Sequence, residues 1–280
     1  MFAARALDLR VAKVLSPRMA RTVTAAVILI GDELLSGRTQ DTNLKTIAEF
    51  LNPLGIEVRE ARVIPDVHDT IVATVNELRK AWDYVFTTGG IGPTHDDITA
   101  DAVAAAFGRT IDVRADALAI LKPWYEARGQ EVSESRMRMA RIPEGAELIR
   151  NPGSAAPGFM LGNVFVLAGI PYVMRGMLAD VGHRLQGGAV VHSRTVRATG
   201  VREADIAGPL GALAKAKPEV SFGSYPFARL RGKEVEYGSN LVARSRDPDL
   251  IAAAVAALVE VVEALGAKAE MDPKREEGRA

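Results

Sequence analysis

Residues 84–97 of this 280-residue chain read YVFTTGGIGPTHDD, and this stretch decides its fold. The first five, Tyr84–Thr88, are mostly β-branched or aromatic and predict a buried strand. Glycines follow, and then Asp96 and Asp97 lead into a stretch of helical periodicity. A loop that leaves the carboxyl end of a parallel strand is where open α/β sheets bind ligands. The stretch therefore predicts an α/β fold together with a binding loop.

The chemistry of this loop favours a phosphate held beside a metal ion. Glycine N–H groups and threonine hydroxyls can cradle a phosphate. Two adjacent carboxylates would repel that phosphate unless a divalent cation lies between them. The alternative is helix capping by Asp96 or Asp97, which accounts for one carboxylate but not for the glycines. The phosphate-binding residues predicted here are Thr88, Gly89, Gly90, Gly92, Pro93 and Thr94.

The alternation of strand and helix continues upstream. Apolar and β-branched residues predict strands over 22–30 and 56–64, whereas 42–54 and 67–81 repeat their apolar residues at helical spacing. A further helix is predicted over residues 98–107. Strands and helices joined by short connections imply a parallel sheet with right-handed crossovers. We therefore predict an α/β fold with three layers, in which a mostly parallel sheet carries helices on both faces.

A second candidate loop follows the first strand and reads GDELLSG at residues 31–37. Its glycines let backbone N–H groups approach an anion, and the next helix begins near Asp41 and Asn43. Alternatively, Gly31 only makes a turn and Asp41 or Thr42 caps that helix. The ligand-binding residues predicted in this segment are Gly31, Asp32, Glu33, Ser36, Gly37, Asp41 and Asn43.

Asp66 places another carboxylate at the same edge of the predicted sheet. It follows the second strand, and the carboxyl ends of parallel strands meet at one edge, so Asp66 should lie on the same edge as Asp32 and Asp97. We expect the neighbouring acid Asp69 to be only a helix cap.

Downstream of these loops, residues 109–141 are charged and helical in pattern and predict an inserted cap. Its arginines Arg136, Arg138 and Arg141 could face a phosphate, and we expect two of the three to lie on a solvated helical face. Strands are predicted at 147–150 and 163–167, around a loop at 151–158, and a helix at 172–185.

A second, smaller α/β domain is predicted after a linker at Gly187-Gly188. The predicted domains are residues 22–187 and 188–266, with a charged, disordered tail at 267–280. In the small domain, strands are predicted near 190–199, 220–224 and 235–243, and helices at 203–215 and 248–265. The apolar face of residues 251–265 either forms an oligomer contact or covers the domain's own sheet.

Residues 1–21 predict a disordered leader. They carry Arg5, Arg10, Lys13, Arg18 and Arg21 against a single acid, Asp8. This leader is either an organellar transit peptide or an extension upstream of a true start at Met19.

Composition excludes several classes of protein and site. A formal net charge of zero gives no reason to expect a nucleic-acid or acidic-membrane partner. The absence of cysteine excludes disulfides, thiolate catalysis and Cys-ligated zinc. No apolar run reaches the roughly 18–20 residues needed to span a bilayer. We expect a cytoplasmic protein with 48% hydrophobic and 25% charged residues, as is ordinary for globular chains.

Taken together, these motifs resemble the molybdopterin-binding domain family of molybdenum-cofactor adenylyl- and molybdenum-transferases. The similarity is greatest to the amino-terminal half of its CinA-like branch. It rests on GDELLSG with Asp41 and Asn43, TTGGIGPT with Asp96-Asp97, MARIP at 139–143, and the loop 151–159. It covers roughly residues 22–266, including GSYP at 223–226 in the small domain.

The resemblance implies a pterin or adenine-dinucleotide substrate, a divalent metal ion of the Mg, Mn or Co class, and a homo-oligomer, dimer or trimer. In the adenylyltransferase relatives, two acids are catalytic: the one after the second-strand Ile-Pro and the last one of the glycine loop. They correspond to Asp66 and Asp97, and the resemblance places the metal ligands among Asp66, Asp96 and Asp97. The residues that it adds to the ligand-binding set are Asn151, Pro152, Gly153 and Gly158.

The CinA-like branch is associated with pyrophosphatase activity on ADP-ribose and related dinucleotides. We therefore predict a metal-dependent nucleotide pyrophosphatase. Molybdopterin binding or adenylylation at the same loops, and a non-catalytic binding module, are the alternatives, since one fold hosts several chemistries. Two residues depart from the family pattern, because Ala168 stands where Pro is usual and Val173 where Glu is usual. We also expect the chain to lack the nicotinamide-mononucleotide deamidase domain found at the carboxyl end of longer relatives.

Overall fold

The computed structural model describes residues 21–154, 156–232 and 234–271, which fall into two compact units. The first unit spans residues 22–190, and the second begins at Val191. The predicted leader lies outside the described residues except for Arg21. The predicted linker at Gly187-Gly188 belongs to the first unit, because the Gly188 N–H donates to the Leu54 carbonyl at 3.2 Å. The boundary therefore lies after Val190 instead of within the glycine pair.

The first unit is built on a six-stranded sheet in the order β2-β1-β3-β8-β7-β6. Strands β2, β1, β3 and β8 run parallel, and β7 and β6 extend one side in antiparallel fashion. Strands β4 and β5 pair separately and antiparallel. In chain order the strands of this unit are β1 (Val23–Ile30), β2 (Ile56–Ile64), β3 (Tyr84–Thr88), β4 (Ile111–Val113), β5 (Arg141–Pro143), β6 (Glu147–Ile149), β7 (Gly158–Leu161) and β8 (Val164–Leu167).

Helices cover both faces of the sheet, as the alternation of strand and helix predicted. The α-helices of this unit are α1 (Asp32–Leu35), α2 (Asn43–Leu51), α3 (His68–Ala81), α4 (Thr99–Ala106), α5 (Ala115–Glu126), α6 (Glu134–Met137) and α7 (Pro171–Val181). Single turns of 3-10 helix occupy Asn52–Leu54, Arg138–Ala140 and Gly182–Arg184.

Strand β1 shows why the sheet has three layers. Its side chains alternate, so that Ala26 and Ile28 pack with α3 and α4 on one face, and Val27 and Leu29 pack with α2 and α7 on the other. All four are at most 2% exposed. A strand buried on both faces is a near-continuous apolar run, which is what the sequence shows at this position.

The structure corrects the prediction that residues 109–141 are wholly helical. The segment contains α5 and α6, but it begins and ends in the strand pair β4–β5. Three-residue strands are too short to produce a period-2 pattern that a sequence reading can detect. Strand β7 was also missed, since a loop at 151–158 and a strand at 163–167 were predicted there and no strand between them.

The second unit is an antiparallel sheet in the order β10-β11-β9-β12 with two helices. Its elements are β9 (His192–Thr199), α8 (Glu203–Ala216), β10 (Ser221–Arg231), β11 (Glu234–Ser245), α9 (Pro248–Ala264) and β12 (Lys268–Met271). The apolar face of α9 covers its own sheet, because Ile251, Ala254, Leu258 and Val262 are buried in the core of this unit. Of the two interpretations of that face, the structure therefore supports the covering role.

Strand β12 corrects the prediction of a disordered tail at 267–280. Lys268–Met271 pairs with β9, and Ala269 packs against the core of the unit. Its charged neighbours Lys268 and Glu270 form an ion pair at 2.5 Å beside it. The charged residues that suggested a disordered tail thus belong to an edge strand, a position where charged side chains are common. Residues 272–280 lie outside the described part.

No helix among the described residues is long and apolar enough to cross a membrane.

Candidate active site at the carboxyl edge of the parallel sheet

Four connections leave the carboxyl ends of β1, β2, β3 and β8 at one edge of the sheet. Backbone hydrogen bonds hold them together: the Gly31 N–H donates to the Ile64 carbonyl at 3.1 Å, and the Gly89 N–H donates to the Leu167 carbonyl at 3.2 Å. The loops after β1 and β3 are therefore neighbours in space, since a Cβ on Gly89 would also lie 2.1 Å from the Ile30 carbonyl oxygen. This is the edge at which open α/β sheets bind ligands.

Asp66 lies between the loops that follow β1 and β3. Its Oδ2 accepts a hydrogen bond from the Asp32 N–H at 3.0 Å. On the other side, a Cβ placed on Gly90 would lie 3.5 Å from the Asp66 Oδ1. The side chain is half-buried. Asp66 is thus the carboxylate that contacts one candidate loop and lies beside the other.

The electrostatics of Asp66 reflect its surroundings. Burial raises the pKa of its carboxyl above the ordinary value, and the charges of Glu33, Asp32 and Asp96 raise it further. The hydrogen bond from the Asp32 N–H opposes this rise. Desolvation and nearby like charges both disfavour an ionised carboxylate. A cation bound among these side chains would relieve the repulsion.

The glycine loop after β3 requires glycine for steric reasons. Gly89 and Gly90 have φ values of 106° and 66°, in the region that side chains other than glycine rarely adopt. A Cβ on Gly89 would lie 2.1 Å from the Ile30 carbonyl oxygen, and one on Gly90 would lie 2.2 Å from the Thr99 Oγ1. The backbone of this loop therefore lies directly against β1 and the start of α4. The Thr99 N–H donates to the Gly90 carbonyl at 2.9 Å and ties the loop to that helix.

Asp97 closes the glycine loop with a local turn. Its Oδ2 accepts from the Thr94 N–H at 2.8 Å and also from the Thr94 hydroxyl. A Cβ on Gly92 would lie 2.6 Å from the same oxygen, so the carboxylate lies close against the loop backbone. Asp96 and Pro93, in contrast, are exposed. The local hydrogen bonds show a turn-stabilising role for Asp97, and one carboxylate can fill that role while also binding a ligand.

Arg138 and Arg141 line a shallow pocket beside Asp97 and Gly92. The Nε of each arginine is buried without a hydrogen-bond partner among the described residues. Arg141 pairs with Asp101, and Arg138 Nη2 approaches the Asp97 carbonyl at 3.5 Å.

Arg136 differs from these two, since it is held by Gln130 and Glu131. Two of the three arginines thus face the candidate site, where one was expected. Arg138 and Arg141 are three positions apart at the end of the predicted cap, and this spacing was the sequence signal that could have indicated that both face the site.

The residues predicted in the loop after β1 have different roles in the structure. Asp41 accepts from the N–H groups of Asn43 and Leu44 at 3.0 and 3.2 Å, which is helix capping. Asn43 Nδ2 donates to the Gly169 carbonyl at 2.7 Å. Ser36 and Gly37 are exposed, and the contacts described for Ser36 are with its own loop.

Gly31 and Glu33 lie beside each other in this loop. A Cβ on Gly31 would lie 2.5 Å from the Glu33 carboxylate, so the glycine leaves room for that side chain.

The loop at 151–158 is organised by its own hydrogen bonds. Asn151 Oδ1 accepts from the N–H groups of Gly153 and Ser154 at 3.0 and 3.3 Å, and Pro152 lies near Gly176 of α7. Gly158 belongs to β7, where a Cβ would lie 2.5 Å from the Val166 carbonyl oxygen. These contacts give structural reasons for Asn151, Gly153 and Gly158. None of the contacts described for them joins the loop to the glycine loop or to Asp66.

Of the two departures from the family pattern, the structure accounts for one. Val173 is 5% exposed and packs in the core beside Met174 and Met177 of α7. A valine suits that environment because burial of an unpaired carboxylate would be costly.

A divalent cation fits the charge of this edge. The described residues do not bring three His, Asp or Glu side chains together as a complete metal centre. Mg²⁺ is commonly held by only one or two carboxylates together with substrate phosphates and water. Asp66, with Asp96 near enough for its charge to raise the Asp66 pKa, offers such a partial set of ligands. The hydrogen bonds described for the Asp97 side chain are with Thr94, and none joins it to Asp66.

Comparison with protein families gives two matches. Residues 26–187 match the model described as probable molybdopterin binding domain. Residues 190–269 match the model described as the middle domain of FAD synthase. The two matches meet near the boundary between the two structural units.

Individual relatives are about one third identical to this chain over the aligned residues. A CinA-like protein of Desulfosudis oleivorans is 36% identical over 210 residues, which are 71% of this chain and 51% of that protein. This chain thus spans about half the length of that relative. A protein of Aeropyrum pernix is 34% identical over 254 residues, which are 86% of this chain and 94% of that one. The crystal structure of CinA from Thermoplasma acidophilum, a protein of unknown function, has 34% identity and a TM-score of 0.53, covering 57% of this chain and 98% of its own.

Proposed function

The chain belongs to the family of the probable molybdopterin binding domain, with CinA-like proteins among its relatives, and on that premise we propose that it is a metal-dependent nucleotide pyrophosphatase. The proposed substrates are ADP-ribose and related dinucleotides. The observation that carries the proposal is the position of Asp66, half-buried among carboxylates and close to the backbone of Gly90. Such an arrangement favours a cation and a phosphate together.

In the proposed binding mode, the backbone supplies the first contacts with the substrate. The N–H groups of the loop Gly89–Gly92 hold one phosphate of the substrate, and the lack of side chains there allows close approach. Arg138 and Arg141 offer guanidinium groups beside Gly92 and counter the negative charge on the phosphates. The Nε of each guanidinium is buried and has no hydrogen-bond partner among the described residues.

Asp66 and Asp97 would hold the divalent ion, with Asp96 as a further ligand. When bound, such an ion polarises a phosphoanhydride and generates a nucleophile from water near neutral pH. Asp66 keeps its orientation through the Asp32 N–H, and Asp97 keeps its orientation through Thr94. Both carboxylates are therefore fixed by hydrogen bonds before substrate binds, which is the preorganisation that catalysis requires.

A substrate screen tests the proposal. The full chain is incubated with ADP-ribose, FAD or other dinucleotides and with Mg²⁺, Mn²⁺ or Co²⁺, and AMP release is measured. FAD is included because the small domain matches the middle domain of FAD synthase. We expect AMP release that stops when EDTA removes the metal. No AMP release from any dinucleotide, together with binding of a pterin, would favour the second candidate, molybdopterin binding or adenylylation.

Asp97→Asn is the variant that connects activity to the site. It should lower AMP release at least about a hundredfold, since the charge that holds the ion is lost. The fold should survive because an amide oxygen can still accept from the Thr94 N–H. Asp69→Asn is the matched control: Asp69 is an exposed acid three positions after Asp66 and hydrogen bonds to His68. Equal activity of the two variants would contradict the assignment, and lost activity with unchanged metal binding would assign Asp97 a general-base role.

A further inference from the structure

A second pocket at this edge contains a buried hydrogen-bond acceptor without a partner. The pocket lies between the loop after β1, the start of α2 and the loop after β8, and Asn43 lines it. Asn43 is 5% exposed, and its Oδ1 has no hydrogen-bond partner among the described residues. Leaving a buried polar atom unpaired costs about 1–3 kcal/mol. Because Asn43 lines the pocket, a ligand bound there with an N–H or O–H group is a candidate donor to this acceptor.

The other end of the same amide fixes its orientation. Asn43 Nδ2 donates to the Gly169 carbonyl at 2.7 Å and to the Thr88 Oγ1 at 3.4 Å. A carbonyl oxygen can only accept, so the amide nitrogen must face Gly169 and the oxygen must be the free atom. Asn43 thus presents an acceptor, and its ligand must supply an N–H or O–H donor.

The rest of the pocket selects against a phosphate. Glu33 and Asp41 are among its lining residues, and these residues, all in the described part of the chain, include no Lys, Arg or His. Apolar walls come from Ile30, Leu34 and Pro171. An anionic group would be repelled here, whereas a flat, uncharged ring with N–H donors would be favoured.

We propose that this pocket binds the heterocyclic ring of the substrate, and that Asn43 Oδ1 accepts a hydrogen bond from an exocyclic amino group. Adenine and pterin both carry such a group on a planar ring. The inference rests on the proposed function, since it assigns the ring of the substrate whose phosphates lie at Gly89–Gly92. It orients the substrate in the site, with its ring beside Asn43 and its phosphates beside Arg138 and Arg141.

Pairs of ligands that differ only in the amino group test the proposal by calorimetry on the full chain. AMP is compared with purine riboside 5′-monophosphate, and 6-hydroxymethylpterin with 6-hydroxymethyllumazine, which carries oxygen in place of the amino group. We expect the amino-bearing member of one pair to bind at least about tenfold more tightly, as is usual when a buried acceptor would otherwise stay unpaired. The pair that shows the preference identifies adenine or pterin as the ring.

Asn43→Leu should remove this preference because the acceptor is gone. Thr46→Ala is the control: it is three positions later in α2, and its hydroxyl hydrogen bonds to the Thr42 carbonyl. The control should keep the preference. If Asn43→Leu does not fold, the comparison of ligand pairs on the unaltered chain still decides the matter.

Three results would overturn the inference: equal binding within both pairs, no binding of either pair, or a preference that persists in folded Asn43→Leu. AMP release from ADP-ribose without an amino preference would refute the inference and leave the proposed function intact. A preference for the amino-bearing ligand without AMP release from any dinucleotide would refute the proposed function and leave the inference intact.

Discussion

When no cation is bound, the half-buried carboxylate of Asp66 lowers the free energy of unfolding. Its pKa is raised by burial first and then by the charges of Glu33, Asp32 and Asp96. A carboxyl whose pKa is higher in the folded than in the unfolded state binds more protons when folded. Stability therefore falls as pH rises through that pKa, and the penalty is fully present at neutral pH. Functional sites commonly carry such a penalty.

Asp66→Asn should accordingly abolish AMP release and yet stabilise the metal-free protein at neutral pH. The amide oxygen can still accept from the Asp32 N–H, while the repelled charge is removed. We expect a rise in Tm of at most a few degrees, measured in EDTA at pH 7, that disappears when the pH is lowered below about 3.9, the unfolded pKa of an aspartate. A lower Tm at pH 7 would show that the carboxylate stabilises the fold through contacts that an amide cannot make.

Gly90 and Gly108 share a left-handed backbone and differ in the space around them. Their φ values are 66° and 61°, but a Cβ on Gly90 would lie 2.2 Å from the Thr99 Oγ1, whereas nothing lies within 4 Å of one on Gly108. Gly108→Ala should cost only backbone strain of about 1 kcal/mol. Gly90→Ala should cost about 1–3 kcal/mol more, because the glycine loop must move away from α4. Urea unfolding of both variants checks this, and equal losses would show that the loop adjusts freely.

Individual site residues differ in how far the sequence could predict them. The glycine loop and Asp66 are visible because each follows a recognisable strand, and strands of a parallel sheet end at one edge. The free Oδ1 of Asn43 is not visible, since it depends on a carbonyl at Gly169, 126 positions away. For a similar reason, the sequence did not indicate that both Arg138 and Arg141 face the site. Their burial depends on how the cap folds back on the glycine loop.

At the scale of elements, most long segments were predicted well and short ones were not. The exception among the long strands is β10, which continues to Arg231 although a strand was predicted only near 220–224. Strands β2 and β3 occupy the predicted residues, whereas β4, β5 and β7 were missed. Strand β7 could have been found from its turn. Gly162 and Asn163 are the only two residues between β7 and β8, and Gly-Asn between apolar runs is a hairpin signal. The three-residue strands β4 and β5 are stabilised by pairing with each other, and the sequence around them carries no comparable signal.

Asn163 does more than form that turn. Its Nδ2 donates to the carbonyls of Arg79, Trp82 and Asp83 at 3.0, 3.0 and 3.2 Å, and so fixes the end of α3 against the hairpin. Asn163→Ala should lower the free energy of unfolding by about 1–3 kcal/mol, since these carbonyls lose their donor. The control Asn52→Ala changes an exposed asparagine in the turn after α2 and should cost at most about 0.5 kcal/mol. Equal losses in urea unfolding would mean that water replaces the lost donor at no cost.

At the scale of the whole molecule, the two units have separate cores and separate family matches. The buried clusters of the first unit lie within residues 22–190 and that of the second within residues 191–271. The glycine loop, Asp66, Asp97 and Asn43 all belong to the first unit. The crystallised chain of CinA from Thermoplasma acidophilum is 98% covered by 57% of this chain.

A chain that begins at Met19 and ends at Val190 should therefore fold alone and retain AMP release within a few-fold of the full chain. The small domain carries no glycine-rich phosphate loop, and we expect it to contribute to assembly instead of to the chemical step. The apolar face of α9 is buried in its own unit, so a contribution to assembly would have to come from another surface of the small domain. Light scattering on both chains measures this directly: the truncated chain should have a lower oligomeric state if the small domain makes the contacts between copies. The full chain begun at Met19 is the control for loss of the leader and should match the complete chain in Tm and activity. A truncated chain that keeps its oligomeric state and loses AMP release would reverse the assignment, because part of the active site would then have to come from residues 191–280.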